Sequence, residues 1–522
     1  MADVRRAPER REHSFTNGQD QSPDAAHSAR KRPAHNNHSG PLGVRGYTSL
    51  FRNRQFLRLW MAQIISQTIM NAANYGMIVL VTTVSNSALA TSGAVVAFSL
   101  PALFLSVPAG ALVDRFDRRM VLWVSNALRA VASGIFVLTL LIAPNTLWPV
   151  YALTFFIAMV GQFFTPAEGA AIPRLVRRDD LMNALALFNI TFTLAQAAGL
   201  IILGPLVLVL IPPFTIGNLT IEPVVSLFII VTALYLVCAG LILSIPAANL
   251  RAVELTHADL DEMAEVSGVR RRGPHPKPES VQAKLGTILS DIAASWRYIR
   301  QDATLHIAAW QLTLAGVVIA VIATIAPRFV QDYFHQPYAL AALVFLPAGI
   351  GLVLGSVATP NVVRWLRYTW TIALGIGLLT VSTALLVIGR VSAPLIFGPV
   401  QWWTAWPYIA GMLLLTFLIG IGLDFVNVPA QTILQDRSSD WIKGRVLAVQ
   451  YLMLYALTVV YVPIIGWLAD YAGLSAALIL VSLTVGIAGA VTVYLRIQVN
   501  MRTGGRPARR GGARRGVPEE HI

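Results

Sequence analysis

The sequence predicts an all-α membrane protein with twelve transmembrane helices. Hydrophobic residues make up 55% of the 522 residues and charged residues only 13%, whereas soluble domains carry about 25% charged residues. Twelve apolar stretches approach the ~20 residues with which a helix crosses a bilayer. Because such a chain must expose apolar side chains to lipid, we expect a multi-pass cell-membrane protein. The predicted spans are 56–83, 91–113, 120–142, 147–167, 182–211, 223–246, 304–327, 338–360, 367–389, 405–428, 444–469 and 473–496.

The placement of the basic residues fixes the expected orientation. If both tails are cytoplasmic, 37 of the 40 Lys and Arg residues fall in tails and loops on that side. An excess of Lys and Arg marks the cytoplasmic side of membrane proteins. This pattern accounts for the net charge of +14 without a nucleic-acid partner. It predicts cytoplasmic termini whose basic residues contact the anionic lipids of the inner leaflet.

A polar segment divides the chain into two halves. We predict a six-helix bundle over 55–246, a cytoplasmic linker over 247–303 and a second six-helix bundle over 304–498. The tails 1–54 and 499–522 are basic and rich in small and polar residues, so we expect them to be disordered. Helical spacing of apolar residues in the linker predicts an amphipathic interfacial helix. These residues are Leu285, Ile288, Leu289, Ile292, Trp296 and Ile299.

An internal repeat supports the division. Pro-Ala-Glu at 166–168 is followed by Arg174, and Pro-Ala-Gln at 429–431 is followed by Arg437. Both matches have the same offset of 263 residues. Two homologous halves related by an axis along the membrane normal build a single central site in carriers. The repeat therefore predicts two pseudo-symmetric bundles.

A charged motif follows the second span. Residues 110–119 read GALVDRFDRR, and the pattern Gly-x-Leu-x-Asp-Arg-x-x-Arg-Arg resembles the loop signature of the major facilitator superfamily. The resemblance implies a secondary transporter that works by alternating access. We expect Asp114 to face the positive N-terminus of the eleventh span near Gly444, and the arginines to lie at the headgroup layer. The predicted gating residues in this motif are Gly110, Asp114, Arg115, Arg118 and Arg119.

A second passage narrows the resemblance. The segments 164–167, 172–176 and 180–184 are similar to the branch that contains enterobactin exporters and macrolide-efflux-like proteins. This branch implies proton-driven export of amphipathic small molecules. The fourth span lacks the arginine of the drug-antiporter signature, and Gly204-Pro205 lacks the paired glycines that follow in the antiporter signature. A lipid or lysolipid carrier, and a non-transporting receptor or scaffold of the same fold, stay open as alternatives.

Polar side chains inside the spans are the candidates for substrate binding, because they are costly in lipid. Four amides on the first span lie within about 80° of one another on a helix. They provide donors and acceptors for a polar substrate, or they form hydrogen bonds between helices. The resemblance places the first, fourth, seventh and tenth spans around the pathway. The predicted cavity residues are Gln63, Gln67, Asn71, Asn74, Gln162, Gln311 and Asn427.

Three charged residues within or at the ends of spans are candidates for coupling and gating. Asp424 is a carboxylate in an apolar span, so it is suited to exchange a proton in each cycle, or else it is a permanent ion-pair partner. Glu168 either shares this proton-coupling role and joins an inner gate, or is simply solvated. Arg129 lies deep in the third span and needs a partner there. We assign it to the gating set as a structural contact.

Catalytic and cofactor motifs are missing from the sequence. It has no Gly-x-x-x-x-Gly-Lys-[Ser/Thr] loop, no His-Glu-x-x-His and no Gly-x-Ser-x-Gly. Its one cysteine, Cys238, lies in an apolar span and excludes a disulfide framework. We therefore expect a monomeric carrier that is not an enzyme and uses no cofactor or metal. Its expected partners are a small-molecule substrate, protons and membrane lipids.

Overall fold

The computed structural model describes residues 49–113, 116–177, 180–217, 219–247, 281–438 and 442–502. All of them belong to one compact unit, 44–522. They are almost entirely helical, which confirms the predicted fold class. The predicted tails and linker lie mainly outside the described residues, and the proposed domain boundaries stay predictions.

The first half contains seven α-helices and one short hairpin. A π-helical turn, Ala198–Leu203, joins α5 to α6, so these two helices form one crossing. An antiparallel hairpin of β1 (Phe214–Ile216) and β2 (Leu219–Ile221) then leads into α7. The sequence did not predict this hairpin. The helices are α1 (Arg54–Ser85), α2 (Ala88–Val113), α3 (Arg118–Ile142), α4 (Trp148–Leu175), α5 (Leu181–Ala197), α6 (Gly204–Leu210) and α7 (Pro223–Leu243).

The second half begins with a helix outside the spans. This helix, α8, packs Ile299 and Trp296 against Leu305 and Leu434 at the base of the second bundle. Short 3₁₀ turns precede α10 and α11. The helices are α8 (Val281–Gln301), α9 (Ala303–Phe334), α10 (Ala341–Phe397), α11 (Trp406–Arg437), α12 (Lys443–Tyr471) and α13 (Leu474–Arg502).

The described part of the chain makes twelve crossings. It has 11 helices long and apolar enough to span a membrane, counting α5–α6 as one. The 57 residues of α10 would extend about 85 Å if straight, which is far beyond one bilayer. Arg367 has φ 64° and ψ 160°, which breaks the helical path. Helix α10 therefore contains two spans that reverse direction at Arg367, in agreement with the predicted spans 338–360 and 367–389.

Two faces of the bundle are distinguished by their helix ends. The face that carries Arg54, Arg118 and Lys443, where α1, α3 and α12 begin, is called here the basic face. The other, with the α1–α2 turn at 86–87, is called the opposite face.

Asn53 caps α1 by accepting hydrogen bonds from two backbone N–H groups, which satisfies donors that a helix start leaves free.

Glycines bring the backbones of α10 and α11 into contact. A Cβ atom on Gly420 would lie 1.9 Å from the carbonyl oxygen of Ala348, and one on Gly351 would lie 2.1 Å from that of Phe417. On the second span of α10, Gly375 meets Gly422 in the same way. In a membrane, helices associate through close van der Waals packing, so small residues at the contact allow this approach. These glycines hold α11 against both spans of α10.

We expect Gly420→Ala to destabilise the protein by about 1–3 kcal/mol, because the added methyl group forces α11 away from α10. Thermal unfolding of purified protein in detergent measures the effect. Gly411→Ala is the matched control on the same helix, since nothing lies within 4 Å of a Cβ atom there. Equal melting temperatures for the two variants would contradict the proposed backbone contact.

Candidate functional site

The amide stripe of α1 is largely enclosed. Gln63 and Gln67 are buried, and Asn71 and Asn74 are half-buried. The Gln63 Nε2 donates to the carbonyl oxygen of Phe188 at 3.4 Å, and the Asn71 Nδ2 donates to that of Gln67 at 2.9 Å. The side-chain oxygens of Gln63, Gln67 and Asn74 are buried with no hydrogen-bond partner. The stripe therefore keeps unused acceptors along one helix.

The π-helical turn packs directly on this stripe. A Cβ atom on Gly199 would lie 2.1 Å from the carbonyl oxygen of Thr68 and 2.8 Å from the Cβ of Asn71. Only a glycine permits this approach. Single π-helical turns are frequent at functional sites. The turn thus places the α5–α6 crossing against the part of α1 that carries the predicted cavity amides.

Arg129 is buried in the first half and held by neutral groups. Its Nη1 donates to Ser66 Oγ at 3.1 Å, and Ser66 donates onward to Asn126 at 3.3 Å. The guanidinium lies 5.2 Å from the ring centre of Phe164 and 5.7 Å from that of Tyr235. Cation–π contacts of this kind are stronger when water is excluded. Arg129 therefore links α1, α3, α4 and α7 at one point.

Glu168 is buried on the same face of α4. Gly161, Phe164 and Glu168 have helical spacing, and a Cβ atom on Gly161 would lie 2.9 Å from Arg129 Nη2. Arg129 also contacts Phe164 on this face, although no ion pair within 4.0 Å joins Arg129 to Glu168. The Glu168 Oε1 is buried without a hydrogen-bond partner. Arg129 of α3 thus packs against α4 at Gly161 and Phe164, about one to two helical turns from Glu168.

Asp424 is buried in the second half, at the glycine contact between α10 and α11. Its carboxylate accepts a hydrogen bond from the Ser356 hydroxyl. A Cβ atom on Gly355 would lie 3.0 Å from the Cβ of Asp424. Asp424 has only 2% of its surface exposed, and it makes no ion pair with any described residue. The alternative of a permanent ion-pair partner for Asp424 therefore finds no support in the described part of the chain.

The other predicted cavity residues lie in different surroundings. Gln311 is fully buried between α9 and α13, where it accepts a hydrogen bond from Arg496 at 3.1 Å and donates to Thr492 at 3.4 Å. Gln162 and Asn427 are half-buried. Sequence reasoning did not single out Arg496, a buried cation whose hydrogen-bond partner is neutral. Its only signal in the sequence is that it is the charged last residue of the last predicted span.

The motif at 110–119 joins helices at the basic face. Gly110 lies in the last turns of α2, whereas Asp114 and Arg115 lie outside the described residues. Arg118 is half-buried at the start of α3. Arg119 donates to the carbonyl oxygen of Leu243 at the end of α7, and its backbone N–H donates to Asp117. The predicted contact of Asp114 with the eleventh span stays a prediction.

The opposite face carries a charged contact between the halves that sequence reasoning missed. Asp470, at the end of α12, contacts the start of α2 and the side chain of Arg328 on α9. Both residues were visible as charges at the ends of apolar spans. The sequence could not show that a residue near 470 meets one near 88.

Comparison with known proteins identifies the family. The Major Facilitator Superfamily matches residues 59–402, which is more than half of the chain. The chain belongs to this superfamily and is a member of a family of membrane transporters.

Individual relatives are more distant. The multidrug efflux pump Tap of Mycobacterium tuberculosis (strain ATCC 25618 / H37Rv) is 24% identical over 413 residues, which cover 76% of this chain and 82% of Tap. The uncharacterized MFS-type transporter YkuC of Bacillus subtilis (strain 168) is 28% identical over 151 residues, only 35% of its length. Among solved structures, a bacterial homolog of the human lysosomal transporter Spinster has a TM-score of 0.59 at 12% identity, covering 86% of this chain and 98% of that one. The nucleoside transporter NupG has a TM-score of 0.58 at 11% identity, covering 85% and 99%. These likenesses show the fold.

We expect Arg129 and Glu168 to be energetically coupled despite the absence of an ion pair. Arg129→Gln leaves the Glu168 carboxylate in an apolar bundle without a compensating cation. Glu168→Gln leaves the Arg129 cation there without a compensating carboxylate. The double variant should lose about 1–3 kcal/mol less stability than the sum of the single variants. Equilibrium unfolding in mixed micelles measures the cycle.

The matched control replaces Glu168→Gln by Glu222→Gln, since Glu222 is exposed on the opposite face. Arg129→Gln and Glu222→Gln should be additive. Additive losses for the Arg129 and Glu168 pair as well would refute the coupling.

Proposed function

We propose that this transporter exports amphipathic small molecules across the cell membrane in exchange for protons. The observation that carries the proposal is Asp424, a buried carboxylate that a serine hydroxyl, rather than a cation, contacts. Burial disfavours the charged form of such a group. A site that gains and loses a proton as the pathway opens to each side in turn can couple a proton gradient to transport.

The second buried carboxylate adds to this proposal. Glu168 lies in the first half, as Asp424 lies in the second, and its Oε1 has no hydrogen-bond partner. Glu168 lies on the face of α4 that packs against Arg129, whereas no described cation forms an ion pair with Asp424. We therefore propose Asp424 as the main proton-coupling group and Glu168 as a second one.

Export is supported by the likeness to Tap, a multidrug efflux pump, over most of both chains. The resemblance of 164–184 to enterobactin and macrolide-type exporters points in the same direction. The amide stripe of α1 provides neutral acceptors for polar groups of the substrate, beside apolar neighbours for the rest of it. A lipid or lysolipid as the transported species is the alternative outcome of the transport experiment.

For the orientation we propose that the basic face is cytoplasmic, since α1, α3 and α12 begin there with Arg54, Arg118 and Lys443 and Lys and Arg mark the cytoplasmic side. Epitope tags inserted at positions 145 and 217 should be accessible only from outside intact cells, and a tag at 265 only after permeabilisation. Impermeant antibodies against each tag make the measurement. External access to a tag at 265 would refute this topology.

Asp424→Asn should abolish uphill, pH-driven transport and retain downhill exchange, because the amide cannot bind and release the proton. With one proton exchanged per substrate, a gradient of one pH unit supports about tenfold accumulation. Vesicles that contain the purified protein, an imposed pH gradient and a fluorescent amphipathic dye measure this accumulation. We expect the accumulation ratio of the variant to fall to about one, by the same relation.

The matched control is Asp436→Asn, which changes an exposed carboxylate on the same helix. It should keep the gradient dependence of the wild type. Gradient-driven accumulation that persists in Asp424→Asn would eliminate Asp424 as the coupling group. A failure of both variants and the wild type to move the dye, with flux of a labelled lysolipid instead, would favour the lipid carrier.

A further inference from the structure

The break in α10 carries a cluster of exposed aromatic and basic side chains. Trp365 has 91% of its surface exposed, more than any other tryptophan in the described part of the chain. Tyr368 and Trp370 are exposed as well, and so are the two arginines of this segment, Arg364 and Arg367. These five residues are called here the α10 patch.

The α10 patch lies at the basic face and has no acidic neighbour along the chain. Helix α10 begins beside Tyr338, whose hydroxyl contacts Asn86 at the opposite face, and its first span runs from there to the break at Arg367. Neither Arg364 nor Arg367 forms an ion pair with a described residue. The sequence contains no Asp or Glu over 333–423. The patch therefore presents a positive charge that the described structure does not compensate.

Arg496 of α13 adds to the positive charge at this level. Helix α13 packs antiparallel on the second span of α10, since a Cβ atom on Gly489 would clash with Ile376 and one on Gly486 would lie 3.0 Å from Thr380. Arg496 follows Gly489 by about two turns, so it lies level with the start of that second span, beside the patch. Its hydrogen-bond partner is a neutral amide. The patch thus adjoins a third cation without a counter-charge.

Arg367 occupies a backbone conformation that favours glycine. Its φ of 64° and ψ of 160° lie in a region that is essentially restricted to glycine, and residues held in such regions cluster at ligand clamps. Arg364 precedes it by three residues, and side chains at this spacing are neighbours on a helix. The two guanidinium groups therefore lie on the same side of the helix end, where they can hold one phosphate between them.

An exposed apolar stripe leads along the first span of α10 to the patch. Ile350, Leu354 and Val357 have helical spacing and are exposed. Within a span, exposed apolar side chains face lipid. The ten residues from Leu354 to Arg364 rise about 15 Å, which is half of the ~30 Å thickness of a hydrocarbon core. The stripe therefore has the length of one leaflet and ends at the arginines.

We propose that the α10 patch is a binding site for one anionic phospholipid of the leaflet at the basic face. Arg364 and Arg367 bind the phosphate, the ring of Trp365 packs at the headgroup level, and an acyl chain follows the apolar stripe. Trp and Tyr favour this level of a membrane, and basic side chains attract anionic headgroups there. A lipid fits the patch better than an acidic protein segment, because the stripe continues into the span.

Native mass spectrometry of the purified protein in detergent tests the proposal. The probes are phosphatidylglycerol and phosphatidylcholine with the same acyl chains. Phosphatidylglycerol should bind more tightly, because only its headgroup has a net negative charge. Arg364→Gln and Arg367→Gln should each weaken its binding about fivefold, and the double variant about 25-fold. Binding of phosphatidylcholine should change little. The measurement requires neither export nor proton coupling, so its outcome is independent of the proposed function.

Three further variants separate the contributions of charge, backbone and ring. Arg367→Gly should weaken phosphatidylglycerol binding as Arg367→Gln does but keep or raise the melting temperature, because glycine adopts this backbone without strain. Trp365→Ala should weaken the binding of both lipids, since the ring contact does not depend on headgroup charge. Arg297→Gln is the matched control, because it removes an exposed cation of α8 outside the patch. It should leave the binding of both lipids unchanged.

Equal affinity of the wild type for the two lipids would overturn the proposal. Equal binding of phosphatidylglycerol by the wild type and the Arg364→Gln, Arg367→Gln double variant would do so as well. Displacement of the lipid by inorganic phosphate at millimolar concentration would indicate a site for soluble phosphate instead. Displacement by a polyglutamate peptide would indicate a site for an acidic protein segment. Either displacement would refute the lipid site.

Discussion

The low polarity of the membrane governs where this chain can keep a charge. A charged side chain inside a bilayer is costly unless it finds a partner, and the structure meets this demand differently at each site. Arg129 donates a hydrogen bond to a serine hydroxyl and makes cation–π contacts with two aromatic rings. Arg496 donates a hydrogen bond to a glutamine, and Asp424 accepts one from a serine. Asp470, in contrast, is exposed at the opposite face, where the N-terminus of α2 and Arg328 contact it. The groups with neutral partners are fixed within one half, whereas Asp470 takes its partners from both halves.

This difference separates structural charges from those that can take part in a conformational cycle. Arg129 contacts only elements of its own bundle, so its contacts persist when the halves move as rigid bodies. The partners of Asp470 on α2 belong to the other half and are lost when the halves separate at that face. Asp424 lies between these cases, because α10 and α11 belong to one half but enclose it with backbone contacts that only glycines permit. A carboxylate enclosed in this way is shielded from water until its helices move.

The sequence predicted the fold well because hydrophobic length and basic-residue placement are local properties. Each of the twelve predicted spans overlaps a helix in the described part of the chain, and the short gap between 360 and 367 adjoins the break at Arg367. The hairpin at 214–221 was missed because its two strands have three residues each, too few for a period to be recognised. The π-helical turn was missed because a change from i→i+4 to i→i+5 backbone hydrogen bonds does not alter the hydropathy of the segment.

The candidate site was less predictable because it depends on which side chains meet across helices. The stripe on α1 follows from helical geometry alone, but the unpaired state of its oxygens depends on α5 and on the π-helical turn. Nothing in the sequence pairs Ser356 with Asp424 or Gln311 with Arg496. Asp470 illustrates the limit most clearly, since its hydrogen-bond partners lie at the start of α2. Helices α2 and α12 run antiparallel, so the end of α12 meets the start of α2 at the opposite face. The contact is therefore a property of two helix ends that lie about 380 residues apart in the sequence, and no local pattern can show it.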